Sequence, residues 1–67
     1  MLTLYINGEN RQFPSPLTVA ELLEQLDLTG KRVAVERNGE IVPRSLHARQ
    51  VLATDDRLEI VVAVGGG

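Results

Sequence analysis

The chain has 67 residues and a net charge of −2, with 43% hydrophobic and 24% charged residues. These proportions indicate one small folded domain rather than a disordered segment, and a domain of this size has little volume for a buried active site. Seven basic residues are spread among nine acidic ones, and only Tyr5 and Phe13 are aromatic, which argues against nucleic-acid binding. Cysteine is absent, which excludes disulfides, thiolate metal sites and cysteine nucleophiles.

The chain contains no run of apolar residues long enough to cross a bilayer. The longest lies near residues 60–64, and strand-like residues already begin at Leu2, so we expect neither a membrane segment nor a leader peptide. A cytoplasmic location follows as the expectation.

The first segment reads as a β-hairpin. Alternating apolar residues at Leu2, Leu4 and Ile6 predict a half-buried strand, and Asn7-Gly8 is the strongest short signal for a type I′ turn. A second strand then returns through residues 9–13, where the following Pro-Ser-Pro ends it.

A helix is predicted after these prolines. Thr18 can act as the N-cap and Glu21 as its reciprocal partner, while Leu17 and Leu22 are spaced as a hydrophobic staple. Apolar residues then recur at helical spacing, and Gly30 is the predicted helix terminator. The apolar stripe comprises Val19, Leu22, Leu23 and Leu26.

The second half of the chain repeats the hairpin pattern. A third strand around residues 33–36 is followed by the turn Asn38-Gly39 and a fourth strand up to Pro43. Residues 44–54 are expected to be irregular or to hold a short helical turn, with Leu46, Val51 and Leu52 tucked underneath. A turn at residues 55–56 leads into the last strand, in which Leu58, Ile60, Val62 and Val64 are predicted to face one way.

This order of elements predicts an α+β fold of the ubiquitin-like β-grasp type. The first and last strands are both long and apolar, so both should be central, and they can be parallel neighbours only if the chain crosses over through the helix. We therefore expect a mixed sheet of four to five strands packed on one main helix. Residues 1–64 form the predicted domain, and residues 65–67 a flexible C-terminal glycine tail.

The side chains offer no evident catalytic chemistry. His47 is the one histidine, with no serine or carboxylate placed beside it by a motif, and we interpret it as a surface residue. Asp55 and Asp56 are adjacent and suit a turn better than acid–base catalysis or metal binding. The sequence thus predicts a protein that is not an enzyme and that needs neither a metal nor another cofactor.

The terminal run Gly65-Gly66-Gly67 points to a different kind of chemistry. Glycine adds nothing to a core and weakens regular structure, so three glycines do not stabilise the fold. Three extended residues span about 10 Å, and glycines are narrow enough to enter a partner's channel. A carboxylate becomes a good electrophile once it is activated, for example as an acyl-adenylate. This pattern favours delivery of the last carboxylate into a partner's nucleotide site.

The whole chain resembles the prokaryotic sulfur carrier proteins of the ubiquitin-like superfamily, and most closely the carriers of thiamine thiazole biosynthesis. The resemblance rests on Leu4-Tyr5-Ile6-Asn7-Gly8, on the helix from Thr18 to Leu23, on the stretch from Val33 to Arg44, and on the end from Asp56 to Gly67. Within the third of these segments, the Asn-Gly turn followed by Val-Pro-Arg favours the thiamine carriers over their relatives.

The resemblance implies the following route. An E1-like adenylyltransferase activates the terminal carboxylate with ATP, and sulfur from a cysteine desulfurase pathway replaces AMP to give a thiocarboxylate. Thiazole synthase then takes the sulfur. By this resemblance Gly67 carries the adenylate and then the sulfur, Gly66 gives access, and Gly65 lengthens the tail. The carrier is expected to be a monomer when free.

Other readings of the glycine end stay open at this stage. The chain could be the small subunit of molybdopterin synthase, a protein modifier joined through Gly67, or a non-covalent interaction module. A partner surface is also predicted, because the last strand is apolar on both faces and the helix covers only one. Val61 and Ala63, together with Tyr5 and Ala34, would form an exposed apolar patch beside the tail, unless a central strand is simply apolar throughout.

Overall fold

The computed structural model describes residues 1–63 as a five-stranded mixed sheet packed on one helix. The elements are, in chain order, β1 (Leu2–Ile6), β2 (Glu9–Phe13), α1 (Val19–Gln25), β3 (Val33–Arg37), β4 (Glu40–Ile41), a 3₁₀ helix (Arg44–Leu46) and β5 (Arg57–Val62). The strand order is β2-β1-β5-β3-β4, with β1 and β5 parallel and every other pair antiparallel. The predicted β-grasp arrangement is confirmed.

Both hairpins turn as the sequence predicts. Asn7 and Gly8 have φ values of 50° and 83°, and Asn38 and Gly39 have φ values of 51° and 86°. Positive φ at both central residues is the signature of a type I′ turn, whose twist matches that of the flanking strands. The fourth strand comprises Glu40–Ile41 and is therefore shorter than expected.

The start of α1 also follows the prediction. Thr18 Oγ1 accepts a hydrogen bond from the Glu21 amide at 3.1 Å, and Glu21 Oε1 accepts one from the Thr18 amide at 2.8 Å. The remaining donors of the first turn bond to the connector that precedes β5: Val19 N–H reaches Gln50 O, and Ala20 N–H reaches His47 O. The connector thus satisfies the N-terminal amides that a helix leaves free.

The helix ends earlier than predicted. Leu26 is the C-cap, and Asp27 adopts the left-handed conformation (φ 60°) that ends the helix. The sequence predicted this role for Gly30. The Asp27 amide bonds to Glu24 O and the Leu28 amide to Leu23 O, which together form a Schellman motif. Aspartate tolerates the left-handed region better than most residues, so the chain turns there, and Gly30 (φ 83°) serves the loop that follows.

The core lies between α1 and the inner face of the sheet. It comprises Leu2, Leu4, Ile6, Phe13, Leu17, Val19, Leu22, Leu23, Val35, Val42, Leu52, Leu58 and Ile60. Val62, on the same face of β5 as Leu58 and Ile60, is 37% exposed at the end of the strand. Two expectations about burial were wrong. Leu46 and Val51 are also largely exposed, and of the three connector residues only Leu52 is buried.

Candidate carrier terminus and docking surface

The last strand leads the chain out of the sheet beside β3. β5 pairs with β3 along its length, up to the pair Val33↔Val62, and the Ala63 amide then donates to Arg32 O at 2.9 Å. The predicted carrier residue Gly67, the access residues Gly65 and Gly66, and the predicted domain boundary at Val64 lie outside the described residues.

On its other edge β5 is held by a side chain. β1 pairs with β5 only at Tyr5↔Arg57 and Ile6↔Leu58. Beyond that point the Asn7 carboxamide takes over: its Oδ1 accepts from the Ile60 amide at 2.8 Å, and its Nδ2 donates to Ile60 O at 3.1 Å. The side chain of one turn residue therefore extends the hydrogen bonding on this edge by two residues along β5, from Leu58 to Ile60.

The second turn asparagine acts at the other end of the same strand. Asn38 Oδ1 accepts from the Arg57 amide at 2.9 Å, and Asn38 Nδ2 donates to Asp56 Oδ1 at 3.0 Å. β5 is consequently fixed at its entry by one hairpin turn and near its exit by the other. The sequence identifies both residues as turn formers but does not indicate these contacts, which span 53 and 19 residues.

The predicted docking residues do not all lie together. Val61 is 62% exposed and pairs with the exposed Ala34, and both line a groove of about 360 Å³ with Ala63. Tyr5 lies opposite Arg57 in the register, four residues before Val61 and so about 13 Å away along the strand. Its ring is 5.9 Å from the Arg57 guanidinium carbon. The structure thus joins Val61, Ala63 and Ala34, and separates Tyr5 from them.

Two arginines that the sequence analysis overlooked complete this groove. Arg32 and Arg44 line it, together with Val33. Arg32 directly precedes β3, which runs antiparallel to β5 and so places Arg32 beside the exit of β5. The position of Arg32 follows from the antiparallel pairing of β3 with β5. The sequence predicted the order of the strands in the sheet only in part, so it did not indicate this position.

The prediction of a surface histidine was wrong. His47 is 8% exposed, and its Nε2 lies 3.1 Å from the carbonyl oxygen of Val42. Its backbone oxygen accepts from Ala20 in the first turn of α1. His47 therefore joins the connector to β4 and to the helix, and this packing role accounts for its burial.

Asp56 is a buried structural carboxylate. It is 6% exposed, and it accepts hydrogen bonds from Arg37 Nε at 2.7 Å, the Ala53 amide at 2.8 Å and Asn38 Nδ2 at 3.0 Å. Burial alone would raise its pKa, but these three hydrogen bonds and the charge of Arg37 together hold the pKa below its usual value of 3.8.

Among residues 1–63 no group of three histidine or acidic side chains could hold a metal ion. Likewise, no helix in that range is long and apolar enough to cross a membrane.

The thiazole synthase of Paramagnetospirillum magneticum is 48% identical to this chain over 66 residues. The match covers 98% of this chain but 20% of that protein, so the chain spans a fifth of its length. The sulfur carrier protein ThiS of Bacillus subtilis is 37% identical over 65 residues, covering 96% of this chain and 98% of that one. ThiS of Escherichia coli is 32% identical over 66 residues, covering 98% and 100%.

A solved structure gives the same result. The crystal structure of the thiamine biosynthesis protein ThiS from Geobacter metallireducens matches with a TM-score of 0.83 at 30% identity, covering 98% of this chain and 100% of that one. The relatives from Bacillus subtilis and Escherichia coli are sulfur carrier proteins by name, and neither is named as an enzyme. The ThiS family model matches residues 4–67, through the last glycine. This chain therefore belongs to the ThiS family of sulfur carrier proteins.

Proposed function

We propose that the chain carries sulfur for thiazole formation on the carboxylate of Gly67, used as a free chain end. A carboxylate oxygen of Gly67 attacks the α-phosphorus of ATP in an E1-like adenylyltransferase, and pyrophosphate leaves. A sulfide equivalent from a cysteine desulfurase pathway then attacks the acyl carbon, and AMP leaves. The product is a glycyl thiocarboxylate, which donates its sulfur to thiazole synthase.

The glycine run after β5 is the observation that carries this proposal. The family match extends through Gly67, so the run belongs to the family pattern. The described fold contributes the rest: the sheet holds β5 by β3 on one edge and by Asn7 near the other. The chain thus leaves a rigid domain within a few residues of the proposed reactive group, and Gly65 and Gly66 would supply narrow, bendable reach.

The partnership with thiazole synthase is supported by two relatives. The proteins of that name from Paramagnetospirillum magneticum and Magnetococcus marinus match 98% of this chain over a fifth of their own length, at 48% and 36% identity. When a carrier-like region is part of a synthase chain, the carrier and the synthase are held at a high effective concentration relative to each other. We propose that the separate carrier makes the same encounter by docking, and that it does so in the cytoplasm as a monomer. The docking residues Val61, Ala63 and Tyr5 are proposed to serve the adenylyltransferase, with Tyr5 about 13 Å from Val61 along the strand.

Intact mass spectrometry tests the carrier chemistry. The full chain is incubated with the adenylyltransferase, ATP and a sulfur donor, and its mass should rise by the exchange of one oxygen for one sulfur. A chain lacking Gly66 and Gly67 is the control and should not change. The adenylyltransferase is first shown to be active on another carrier. If the mass of the full chain then stays unchanged, the proposal is contradicted.

Transfer to the synthase is tested separately. The isolated thiocarboxylate should lose its sulfur to thiazole synthase in the presence of the other thiazole precursors. Sulfur loss to a large molybdopterin synthase subunit instead would show that the chain serves the other product, and stable conjugates to lysine side chains would show that it is a protein modifier.

A further inference from the structure

The groove beside the exit of β5 is basic, although the chain as a whole has a net charge of −2. Its lining among residues 1–63 includes Arg32 and Arg44 and no carboxylate, while Arg44 also borders a second pocket that includes Glu24. Within residues 1–63 the ion pair is that between Arg37 and Asp56, so neither arginine of the groove has an acidic partner there.

The opposite charge lies on the other side of the apolar residues. Glu36 and Glu59 face each other in the antiparallel register, two pairs further from the exit than Ala34 and Val61. Partners in register share a face of the sheet, and residues two apart on a strand do so as well, at a spacing of about 7 Å. Two like charges directly opposite each other destabilise a sheet unless something compensates them.

The exposed face near the exit therefore has three stripes in a fixed order. A basic stripe lies nearest the exit, where Arg32 precedes β3 and Arg44 lines the groove. An apolar stripe (Ala34, Val61) follows, and an acidic stripe (Glu36, Glu59) comes next, with Arg57 two residues beyond Glu59 on the same face. A surface with this order is directional, since a segment with complementary charges fits in one orientation and meets like charges in the other.

We propose that this striped surface receives a protein segment whose groups run acidic, apolar and basic, from the exit of β5 toward the middle of the sheet. The segment belongs to the adenylyltransferase that takes the glycine tail, so the inference rests on the proposed function and extends it. An apolar side chain fills the groove over Val61, a carboxylate lies over the two arginines, and a cation lies over Glu36 and Glu59. The charge order fixes the direction in which the tail enters the enzyme.

Two substitutions of opposite charge test this order. Arg32→Glu lowers the net charge by two and Glu59→Lys raises it by two, so an effect of net charge alone would move their affinities in opposite directions. We expect both to weaken binding to the adenylyltransferase by about tenfold or more at low salt, measured by isothermal titration calorimetry without ATP. The loss should shrink at high salt, because screening weakens contacts between exposed charges.

Arg11→Glu is the matched control. Arg11 is exposed on β2, at the far edge of the sheet, and its substitution makes the same change in net charge as Arg32→Glu. We expect its affinity to stay within about twofold of the wild type, since rim charges away from a contact act mainly on long-range steering. Circular dichroism melting of all three variants verifies that they are folded.

The results separate this inference from the proposed function. If the wild-type chain is adenylated but Arg32→Glu and Glu59→Lys bind like Arg11→Glu, or change affinity in opposite directions, the striped surface is refuted and the carrier function stands. If sedimentation shows a wild-type dimer that Arg32→Glu dissociates, a second copy occupies the surface and the inference is also refuted. If the wild-type chain is neither bound nor adenylated, both proposals fall.

Discussion

Asp56 shows how much a single buried charge contributes at the residue scale. Asp56 directly precedes β5. Its carboxylate accepts hydrogen bonds from Arg37 at the end of β3, from Asn38 in the second turn and from the Ala53 amide. A domain of this size has a free energy of unfolding of only about 3–5 kcal/mol, so the loss of one such cluster is a large fraction of the total.

We predict that Asp56→Asn destabilises the fold by about 2 kcal/mol at neutral pH, because one acceptor oxygen and the charge opposite Arg37 are lost. The pKa of Asp56 is lower in the folded chain than its usual 3.8. The stabilisation by the charged form is therefore complete above that value and is lost as the pH falls through the lower, folded-state pKa. The difference between wild type and variant should narrow in acid, measured by urea unfolding across this pH range.

Asp55→Asn is the control for this prediction. Asp55 is the exposed neighbour with φ 72°, and asparagine tolerates that conformation, so the substitution makes the same chemical change without a buried carboxylate. A pH dependence of Asp56→Asn equal to that of the wild type would contradict the assignment.

At the scale of the elements, β5 is stabilised by two turns that are distant in sequence. Asn7 holds Ile60 near the exit, and Asn38 holds Arg57 at the entry. Each carboxamide bonds a backbone group of β5 outside the pairing of that strand with its neighbours, and past the end of β1 the Asn7 contact adds to the pairing of β5 with β3.

We predict that Asn7→Gly leaves the first turn intact, because glycine adopts positive φ freely, but frees the amide of Ile60. The variant should lose about 1–2 kcal/mol in the free energy of unfolding, and amide hydrogen exchange of Ile60 should be accelerated beyond that global loss. Asn38→Gly makes the same substitution in the other turn and should accelerate exchange at Arg57 instead. Equal exchange of Ile60 in the two variants would show that the Asn7 contact does not hold the strand.

At the scale of the whole molecule, folding and the proposed docking use opposite faces of the sheet. The inner face packs on α1, while the outer face presents Val61 and Ala34 close to the exit of the chain. Changes on the outer face should therefore affect partner binding more than stability.

We predict that Val61→Asp weakens binding to the adenylyltransferase by at least about tenfold, because a charge replaces an apolar contact. The cost in stability should be about 1 kcal/mol or less, since Val61 is 62% exposed and the loss reflects strand propensity. Val51→Asp is the control: Val51 is 55% exposed in the connector, where it bridges to Thr18 beside the helix start. Unchanged binding of Val61→Asp together with a large loss of stability would show that Val61 belongs to the core.

We predict that one residue added after Gly67 abolishes thiocarboxylate formation, because the reactive carboxylate of the proposal is then an amide. The melting temperature should not change, since glycines contribute no side chain to a core. Intact mass spectrometry and calorimetry measure the two effects. An extended chain that still acquires sulfur without being trimmed would refute the role of Gly67.

Local patterns were sufficient for most of the fold. The Asn-Gly dipeptides, the Thr18–Glu21 capping box and the alternation of β1 and β5 depend on neighbours within a few residues, so the sequence alone determined the hairpins, the helix start and the order of elements. The proposed role of the terminal glycines likewise rests on the sequence and not on a tertiary contact.

Only the tertiary structure decided the features that arise between distant segments. The burial of His47 and Asp56 and the exposure of Val51 depend on how the helix and the connector pack on the sheet. The distance from Tyr5 to Val61 follows from the register of β1 and β5. The groove beside Arg32 exists because β3 and β5 run antiparallel, which brings residue 32 next to residue 63. Hydrogen-bond partners and charge order across strands are set by register, and register is a property of paired segments that neither segment carries by itself.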